Sequence, residues 1–291
     1  MKSINTLIPD IYEQVDKGLI LTDEEKQELG TKLVDAVMQG LGKKEEQPKG
    51  LLRMSNFGTP CKRKLWYIVN MPEVAERLNP WTKIKFAYGH LLEAVVLLLT
   101  KKAGHEVTGE QDTLSTENIV GHRDAVIDGV LVDVKSANAR GMDKFREHKL
   151  ESDDPFGYLD QLALYSRASQ SDPLVSVKKE AAFVAIDKEL GHIVLDKYKV
   201  KDITKEEIDD TKRMLGSDTP PRRHYDPVPD GKSGNYQLDM PCRYCDYKHE
   251  CWKDANGGKG LRSFIYSTGP RWLTRVVSLP KVEEITDAKT T

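Results

Sequence analysis

The alternation of apolar and polar residues is clearest from Gly121 to Ala137, in the stretch GHRDAVIDGVLVDVKSA. Two short β-branched runs flank Asp128-Gly129, a dipeptide typical of a tight hairpin turn. In the second run, valines alternate with Leu131, Asp133 and Lys135. A strand here would therefore carry a carboxylate and an amine on one face. Asp124, at the outer end of the first strand, could converge on Asp133 across the ladder.

Helical and strand patterns surround this hairpin. A capping box at Thr22–Glu25, followed by apolar positions four residues apart, predicts an N-terminal helical extension over residues 1–48. Residues 82–103 are typical of a long helix whose second half is apolar nearly all round and therefore buried. Further helices are predicted at 140–148, 155–168 and 205–215, and strands at 105–113, 118–126, 181–187 and 192–200.

These elements predict an α/β fold, a mixed central sheet flanked by helices, with three parts along the chain. Residues 1–48 form the helical extension, which ends in a charged linker near its boundary. Residues 49–255 form the main domain, and residues 256–291 form a C-terminal hairpin and tail. The last twelve residues are polar and are expected to fray.

Composition narrows the range of functions only slightly. The 291 residues have 44 basic and 46 acidic side chains, a net charge of −2, so any nucleic-acid surface must be a local groove. No apolar run is long enough to span a membrane. The opening MKSINTLIPDIYEQVD has acids where a signal peptide would be apolar, which favours a cytoplasmic protein with no membrane contact.

The hairpin has two interpretations. Two carboxylates and a lysine at a strand end would suit a hard divalent cation and a phosphodiester, since Mg²⁺ prefers oxygen ligands. The alternative is a solvated hairpin whose charged side chains face water. The period of the pattern alone does not separate the two.

Two helices carry further polar candidates. His90 and Glu93 are three residues apart in the predicted helix 82–103 and share a face. Gln161 and Tyr165 are four residues apart in the predicted helix 155–168. Gln161 could exchange hydrogen bonds around a phosphate, and Tyr165 could orient it or pack on a base. Taken alone, each pair would more often have a structural role.

Four cysteines complete the inventory of candidate ligands. Cys242, Cys245 and Cys251 form a C-x₂-C-x₅-C array, and Cys61 lies far upstream beside basic and aromatic residues. Four thiolates suit tetrahedral zinc or an iron–sulfur cluster. Zinc ribbons usually pair one C-x₂-C with another, and the second pair is absent from this sequence.

The ordered series G-x-x-D (Gly121 to Asp124), D-x-K (Asp133 to Lys135) and Q-x-x-x-Y (Gln161 to Tyr165) resembles the PD-(D/E)XK nuclease superfamily. Its RecB-like branch is the nearest match, over roughly residues 50–255. The cysteines narrow the resemblance to the iron–sulfur exonucleases of that branch, which include CRISPR adaptation nucleases and phage recombination nucleases. The fold implied is a restriction-endonuclease-like core with a cysteine-clasped C-terminal part.

The resemblance also implies roles for individual residues. Mg²⁺ or Mn²⁺ would be held by Glu93, Asp124, Asp133 and the Val134 carbonyl. The family's metal-binding His follows the motif glycine by four, a position that holds Glu93 here, with His90 adjacent. Lys135 would position or deprotonate water, while Gln161 and Tyr165 would align the strand. A 4Fe-4S cluster would bind Cys61, Cys242, Cys245 and Cys251.

The activity implied is metal-dependent exonucleolytic cleavage of DNA, on single strands or ends, in recombination, repair or processing. The chain could be phage-encoded and would then act in the host cytoplasm. The sequence contains no Walker-type phosphate loop, so a partner helicase or recombination protein is an expected associate. Two alternatives remain open: a non-catalytic DNA-binding module of the same fold, and a zinc-stabilised endonuclease.

Overall fold

In a computed structural model, the protein is described for residues 2–43 and 50–285. The helices are α1 Leu7–Lys17, α2 Asp23–Leu41, α3 Met54–Phe57, α4 Lys62–Asn70, α5 Pro80–Lys102, α6 Ala139–Arg146, α7 Tyr158–Ala168, α8 Lys205–Leu215, α9 Met240–Arg243, α10 Lys248–Cys251 and α11 Ala255–Gly258. The strands are β1 Val107–Thr108, β2 Thr113–Thr116, β3 Ile119–His122, β4 Ala125–Ile127, β5 Val130–Ala137, β6 Glu180–Asp187, β7 Ile193–Lys199, β8 Val228–Pro229, β9 Tyr236–Gln237, β10 Arg262–Tyr266, β11 Gly269–Arg275 and β12 Glu284–Ile285. Most of the predicted charged linker and half of the predicted frayed tail lie outside the described residues.

The chain folds into two compact units. One unit, called here the sheet unit, contains the described residues of Met1–Gln47 together with Leu52–Gly58 and Pro80–Asp210. Its five-stranded sheet has the order β1-β4-β5-β6-β7. The pair β5–β6 is parallel and the other neighbours are antiparallel. The predicted α/β fold with a mixed central sheet flanked by helices is therefore confirmed.

The predicted hairpin is also confirmed. β4 pairs with β5 in antiparallel register, with Ile127 opposite Val130. Asp128 and Gly129 both have positive φ, at 49° and 78°, as a type I′ turn requires. The dipeptide thus closes a turn whose twist matches that of the flanking strands.

The strands predicted upstream of the hairpin are shorter than expected. The prediction of one strand over 118–126 is wrong, because the chain leaves β-structure at Arg123 and Asp124, between β3 and β4. β2 and β3 instead form a separate two-stranded sheet. The strand predicted at 105–113 is also interrupted, since Gly109 and Gln111 have φ values of 60° and 55° and form a turn.

Hydrophobic clusters cover both faces of the central sheet. One face of β5 and β6 presents Leu131, Phe183 and neighbouring residues to helices that include α6 and α7. The other face presents valines from β5, including Val132, to α1 and α5. Leu7 and Ile11 of α1 are fully buried in this second cluster. Helix α1 of the predicted N-terminal extension therefore belongs to the core of the sheet unit, whereas α2, which is described in full, has Ala36 as its one buried residue.

The second unit, called here the cysteine unit, contains Thr59–Asn79, Thr211–Thr291 in its described part, and a short piece near residue 50. Its five-stranded antiparallel sheet has the order β12-β10-β11-β9-β8. The predicted terminal hairpin is confirmed as β10–β11. The expectation that the last twelve residues fray is wrong for Glu284 and Ile285, which pair with β10.

Among the helices described for residues 2–43 and 50–285, none is both long and apolar enough to cross a membrane.

Candidate active site

The candidate site is centred on β5, at the point where its residues change from buried to partly exposed. Asp133 and Lys135 lie on one face of the strand, and Lys135 Nζ is 2.5 Å from Asp133 Oδ2. Asp133 is only 4% exposed. Apart from this ion pair, Asp133 Oδ2 has no hydrogen-bond partner among the described residues. Within the described part of the chain, this buried carboxylate oxygen is therefore contacted by the Lys135 ammonium alone.

Asp124 is brought to β5 by a main-chain contact. Its Oδ2 accepts a hydrogen bond of 2.7 Å from the Val134 N–H. Asp124 sits in the two-residue break between β3 and β4, and this break lets its side chain turn towards the neighbouring strand. The predicted convergence of Asp124 on the Asp133 segment is thus present, and the interruption of the strand is what permits it.

A buried arginine fixes the break that contains Asp124. Arg123 is 2% exposed, its Nε donates to the Gly109 carbonyl at 3.0 Å, and its guanidinium pairs with Asp112 and Asp172 at 2.5 Å. At Gly109, where φ is 60°, a Cβ would lie 2.3 Å from the guanidinium. Glycine at this position therefore allows Arg123 to anchor the loop.

Glu93 comes to the site from α5. Its Oε1 accepts a hydrogen bond of 2.6 Å from Gln111 Nε2. Burial raises the pKa of Glu93 to about 7, and Asp133 adds to this, against the Gln111 hydrogen bond and Lys135, which both lower it. Because the charges of Asp133 and Lys135 both shift its pKa, the Glu93 carboxylate lies close enough to β5 to interact with them electrostatically.

The acids around β5 raise the proton affinity of Asp124 and of Lys135. Burial, then Asp133 and Glu93, raise the pKa of Asp124 well above its ordinary value. Burial alone would lower the pKa of Lys135, but Asp133 and Asp124 raise it. We call Glu93, Asp124 and Asp133, with Lys135, the carboxylate cluster. Lys135 is its only cation among these four groups and is held protonated.

Gln161 and Tyr165 reach the cluster from α7. Gln161 Nε2 donates to Asp133 Oδ1 at 3.4 Å. Burial raises the pKa of Tyr165 to about 12, while a hydrogen bond with Gln161 lowers it. A Cβ at Gly121 would lie 2.8 Å from Tyr165 Cε1, so the motif glycine makes room for this ring. Because Tyr165 is 4% exposed, it can orient Gln161 but cannot stack on a base.

His90 and Val134, also predicted as site residues, have different positions. His90 lies three residues before Glu93 on α5 and is partly exposed. Val134 contributes its N–H to Asp124. The predicted metal ligation by His90 and by the Val134 carbonyl stays a prediction.

Three contributors were absent from the sequence-based predictions. Gln111 and Arg123 were missed because their partners lie at sequence distances that no local pattern reveals. Tyr158, whose ring centroid is 4.7 Å from Lys135 Nζ, was not predicted as a site residue either. The adjacency of Arg123 to Asp124 in GHRD was the one available signal for a role in positioning.

The residues of the cluster fit a hard divalent cation by chemistry. Burial and neighbouring acids raise the pKa of Glu93 and of Asp124, and a cation would relieve the repulsion among these groups. They do not form a closed ligand cage: among residues 2–43 and 50–285, no three His, Cys, Asp or Glu side chains stand in metal-binding arrangement. Instead Val134, Lys135 and Gln111 hold the three acids.

The four cysteines form a second candidate site, inside the cysteine unit. Cys61 is the N-cap of α4, and its Sγ accepts from the Lys64 N–H at 3.4 Å. Cys242 lies in α9, Cys245 follows it, and Cys251 ends α10. All four are free thiols and partly buried. We call these four residues the cysteine cluster.

The thiols are close enough to influence one another. Burial, then the other three cysteines, raise the pKa of Cys242 to about 12. Burial raises the pKa of Cys245 to about 11, with contributions from Cys251 and Cys61 against Lys64. The structure therefore brings the distant Cys61 to the C-terminal trio. Four thiols within electrostatic reach of one another suit zinc or an iron–sulfur cluster by chemistry, although no three of them stand in a metal-binding arrangement among residues 2–43 and 50–285.

Contacts between two chain segments maintain this convergence. The Glu76 N–H donates to the Asp246 carbonyl at 2.8 Å, and Lys248 pairs with the Glu76 carboxylate. The rings of Tyr67 and Tyr247 stack at 5.5 Å between centroids. The apolar core beside the thiols is small, with Leu238, Trp252 and Ala255 as its buried members.

Comparison with known proteins adds little to these observations. No family model matches the chain, and no curated protein matches it. Among solved structures, the crystal structure of SSO0001 aligns with 75% of this chain and 93% of its own, with 14% identity and a TM-score of 0.39. At this level the likeness carries no argument about what the chain does.

Proposed function

We propose that the protein is a metal-dependent DNA exonuclease that acts on single strands or DNA ends. The observation that carries the proposal is the carboxylate cluster, in which Glu93, Asp124 and Asp133 share one site with a protonated Lys135. Gln161 and Tyr165, the other members of the motif series, reach the same site. This supports the resemblance to the RecB-like nucleases, since residues spread over 70 positions converge in its order.

In this proposal Mg²⁺ or Mn²⁺ would be held by Glu93, Asp124 and Asp133, and would supply Lewis-acid stabilisation of charge at the scissile phosphate. Asp133 offers an oxygen that, among the described residues, is contacted by Lys135 alone, and the Val134 N–H orients Asp124. The Gln111 hydrogen bond holds Glu93 in place.

Lys135 would offset negative charge on the phosphate in the transition state. Asp133 and Asp124 raise its pKa, so at neutral pH it donates hydrogen bonds and does not take a proton from water. Of the two roles expected for this lysine, charge stabilisation is the one its surroundings favour. Gln161, which donates to Asp133 and contacts Tyr165, would fix the carboxylate's orientation.

The cysteine cluster would bind a 4Fe-4S cluster with a structural role in the cysteine unit. Its support is that thiols from two chain segments lie close enough for the other three cysteines to raise the pKa of Cys242. Zinc is the second candidate for the same four donors. An iron–sulfur protein is brown, with absorbance near about 400 nm, whereas a Cys₄ zinc site is colourless.

The experiment that tests the activity is a time course on DNA labelled at the 5′ or the 3′ end, with Mg²⁺, Mn²⁺ or EDTA. We expect metal-dependent release of short products from single strands, and its label dependence would give the polarity. Label release that proceeds equally in EDTA, or binding without any cleavage, would favour the non-catalytic DNA-binding module.

A further inference from the structure

The first half of α5 carries an exposed aromatic surface that the catalytic proposal does not use. Lys83, Phe86, His90 and Glu93 follow one another at spacings of three, four and three residues, so they share one face of the helix. We infer that Lys83, Phe86 and His90, called here the α5 stripe, bind single-stranded nucleic acid, with a base stacked on Phe86 and a phosphate at Lys83. The inference rests on the proposed nuclease function and names the subsite through which the strand would reach it.

The position of Phe86 favours a substrate subsite. Its side chain is 52% exposed, although it is a large aromatic residue within a long helix. It lies seven residues before Glu93, which is two helical turns, or about 10 Å along the axis. An extended strand with one base on Phe86 would therefore reach Glu93 within a few nucleotides. A base on Phe86 would therefore belong to the strand entering the carboxylate cluster.

The charges beside Phe86 also favour a polyanion. From Pro80 to Leu92 the helix carries Lys83 and Lys85 and no acidic residue. Both lysines are exposed, and neither forms an ion pair with residues 2–43 or 50–285. Lys83 shares the face of Phe86, whereas Lys85 shares the face of Tyr88. Elsewhere on the same helix lysines are paired, as Lys101 is with Glu28 and Glu110. A positive surface interleaved with aromatic rings, and continuous with acids that would hold a cation, is typical of tracks for single strands.

The opposite side of α5 provides a built-in control. Tyr88 is 53% exposed, almost equal to Phe86, and lies three residues after Lys85, just as Phe86 lies three residues after Lys83. Two residues along a helix turn the side chain by about 200°, so Tyr88 points away from the α5 stripe. The stripe model assigns the base to Phe86 alone. If the helix bound strands through non-specific apolar contacts, or if a protein partner covered it, binding would depend on Tyr88 as well.

The test measures binding of a fluorescent dT₁₂ strand by polarisation, in a cleavage-blocked Asp133→Ala background with Mg²⁺. Phe86→Ala is expected to weaken binding about 5- to 100-fold, as loss of one base–aromatic stack does. Phe86→Trp should restore it, and Tyr88→Ala should change it less than twofold. Lys83→Gln should lower the slope of log affinity against log salt by about one. Circular dichroism melting would show that these surface variants fold.

Three results would overturn the inference: no dT₁₂ binding by the background protein, no effect of Phe86→Ala, or equal losses for Phe86→Ala and Tyr88→Ala. A blunt duplex of the same length, whose bases are already stacked, should bind independently of Phe86. The readout is binding, so the proposed catalysis is judged separately. Normal cleavage by Phe86→Ala would contradict the inference about the α5 stripe and leave the proposed nuclease function standing. Phe86-dependent binding by a wild-type protein that does not cleave would support the α5 stripe and contradict the proposed nuclease function.

Discussion

The carboxylate cluster and the cysteine cluster both gather groups that repel one another when charged, but they sit in very different amounts of structure. The carboxylates project from β5, α5 and the short break before β4, beside a core of 20 buried residues on one sheet face. The cysteines sit at the ends of short helices, beside a small cluster whose buried members are Leu238, Trp252 and Ala255; Leu65, Trp66 and Tyr67 of α4 are buried as well. We expect the first site to have a scaffold that folds without a metal, and the stability of the second to depend on the proposed iron–sulfur cluster.

The two clusters also differ in how much they destabilise their units when no cation is bound. Raised pKa values leave the Cys242 and Cys245 thiols neutral at physiological pH, so they do not repel one another. Glu93, with a pKa of about 7, is half-ionised there, next to Asp133. The carboxylate cluster therefore destabilises its unit near neutral pH, and the sheet unit tolerates this because its packing is extensive. Substitution of a ligand side chain should therefore impair catalysis in the sheet unit and folding in the cysteine unit.

The largest expected effect is on the cysteine unit. Cys61→Ala and Cys245→Ala should each abolish the brown colour and lower soluble yield and melting temperature together, since a cluster needs all its ligands. Iron content, absorbance and thermal melts measure this. Tyr244→Ala, which alters an 81% exposed neighbour of Cys245, is the matched control and should change none of them.

Two outcomes would break the account of the cysteine cluster. One is a colourless wild-type protein, prepared without oxygen, that contains stoichiometric zinc. The other is a Cys61→Ala protein with full iron and stability while Cys245→Ala has lost both.

The second effect concerns catalysis in the sheet unit. Glu93→Gln should reduce cleavage about 100-fold or more, because a neutral amide is a poor ligand for a hard cation. His90→Ala should have a smaller effect, and both variants should keep the melting temperature of the parent in EDTA or exceed it. Initial rates on labelled single strands at saturating Mg²⁺ give the ranking. A reversed ranking would move the ligand to His90.

A third effect separates the loop anchor from the ligands. Arg123→Met should destabilise the sheet unit by about 2–4 kcal/mol, because it leaves Asp112, Asp172 and the Gly109 carbonyl without their shared donor. Urea unfolding of the sheet unit measures the change, and the absorbance near 400 nm should stay constant. Full stability in the variant would show that the ion pairs of Arg123 do not hold the loop.

The smallest effect is a pH dependence of the metal-free protein. Folding raises the pKa of Glu93 from 4.5 to about 7, so the folded state binds this proton more tightly than the unfolded state. The resulting stability is complete below pH 4.5 and is lost as pH rises through about 7. In EDTA, wild type should lose about 1–2 kcal/mol over this window, after allowance for partial exposure, and Glu93→Gln should lose less. An identical pH slope in both proteins would remove Glu93 from the explanation.

The sequence predicted those parts of the fold that depend on neighbouring residues. The β4–β5 hairpin, its Asp128-Gly129 turn and the strands β6 and β7 all follow local periodicity and turn chemistry. The break at Arg123 and Asp124 was missed because it depends on Asp172, which lies 49 residues later. The pairing of β12 with β10 was missed for the same reason, since two polar-flanked residues carry no strand signal of their own.

The candidate site divides in a similar way. Asp133 and Lys135 follow from strand alternation, and the motif order predicted Asp124, Gln161 and Tyr165 near them. The spacing of a motif does not give burial, so the inaccessibility of the Tyr165 ring appeared only in the structure. Likewise, the protonation of Lys135 depends on two acids whose distances no sequence pattern supplies.

The central claim, that the carboxylate cluster cleaves DNA, is tested most directly by comparing wild type with Asp133→Ala on end-labelled single strands in Mg²⁺ and Mn²⁺. The change removes the carboxylate that pairs with Lys135 from an otherwise intact sheet unit. We predict metal-dependent degradation by wild type and at least about a 1000-fold lower rate for Asp133→Ala, with strand binding and colour retained. Near-normal turnover by the folded variant in Mg²⁺ would contradict the account.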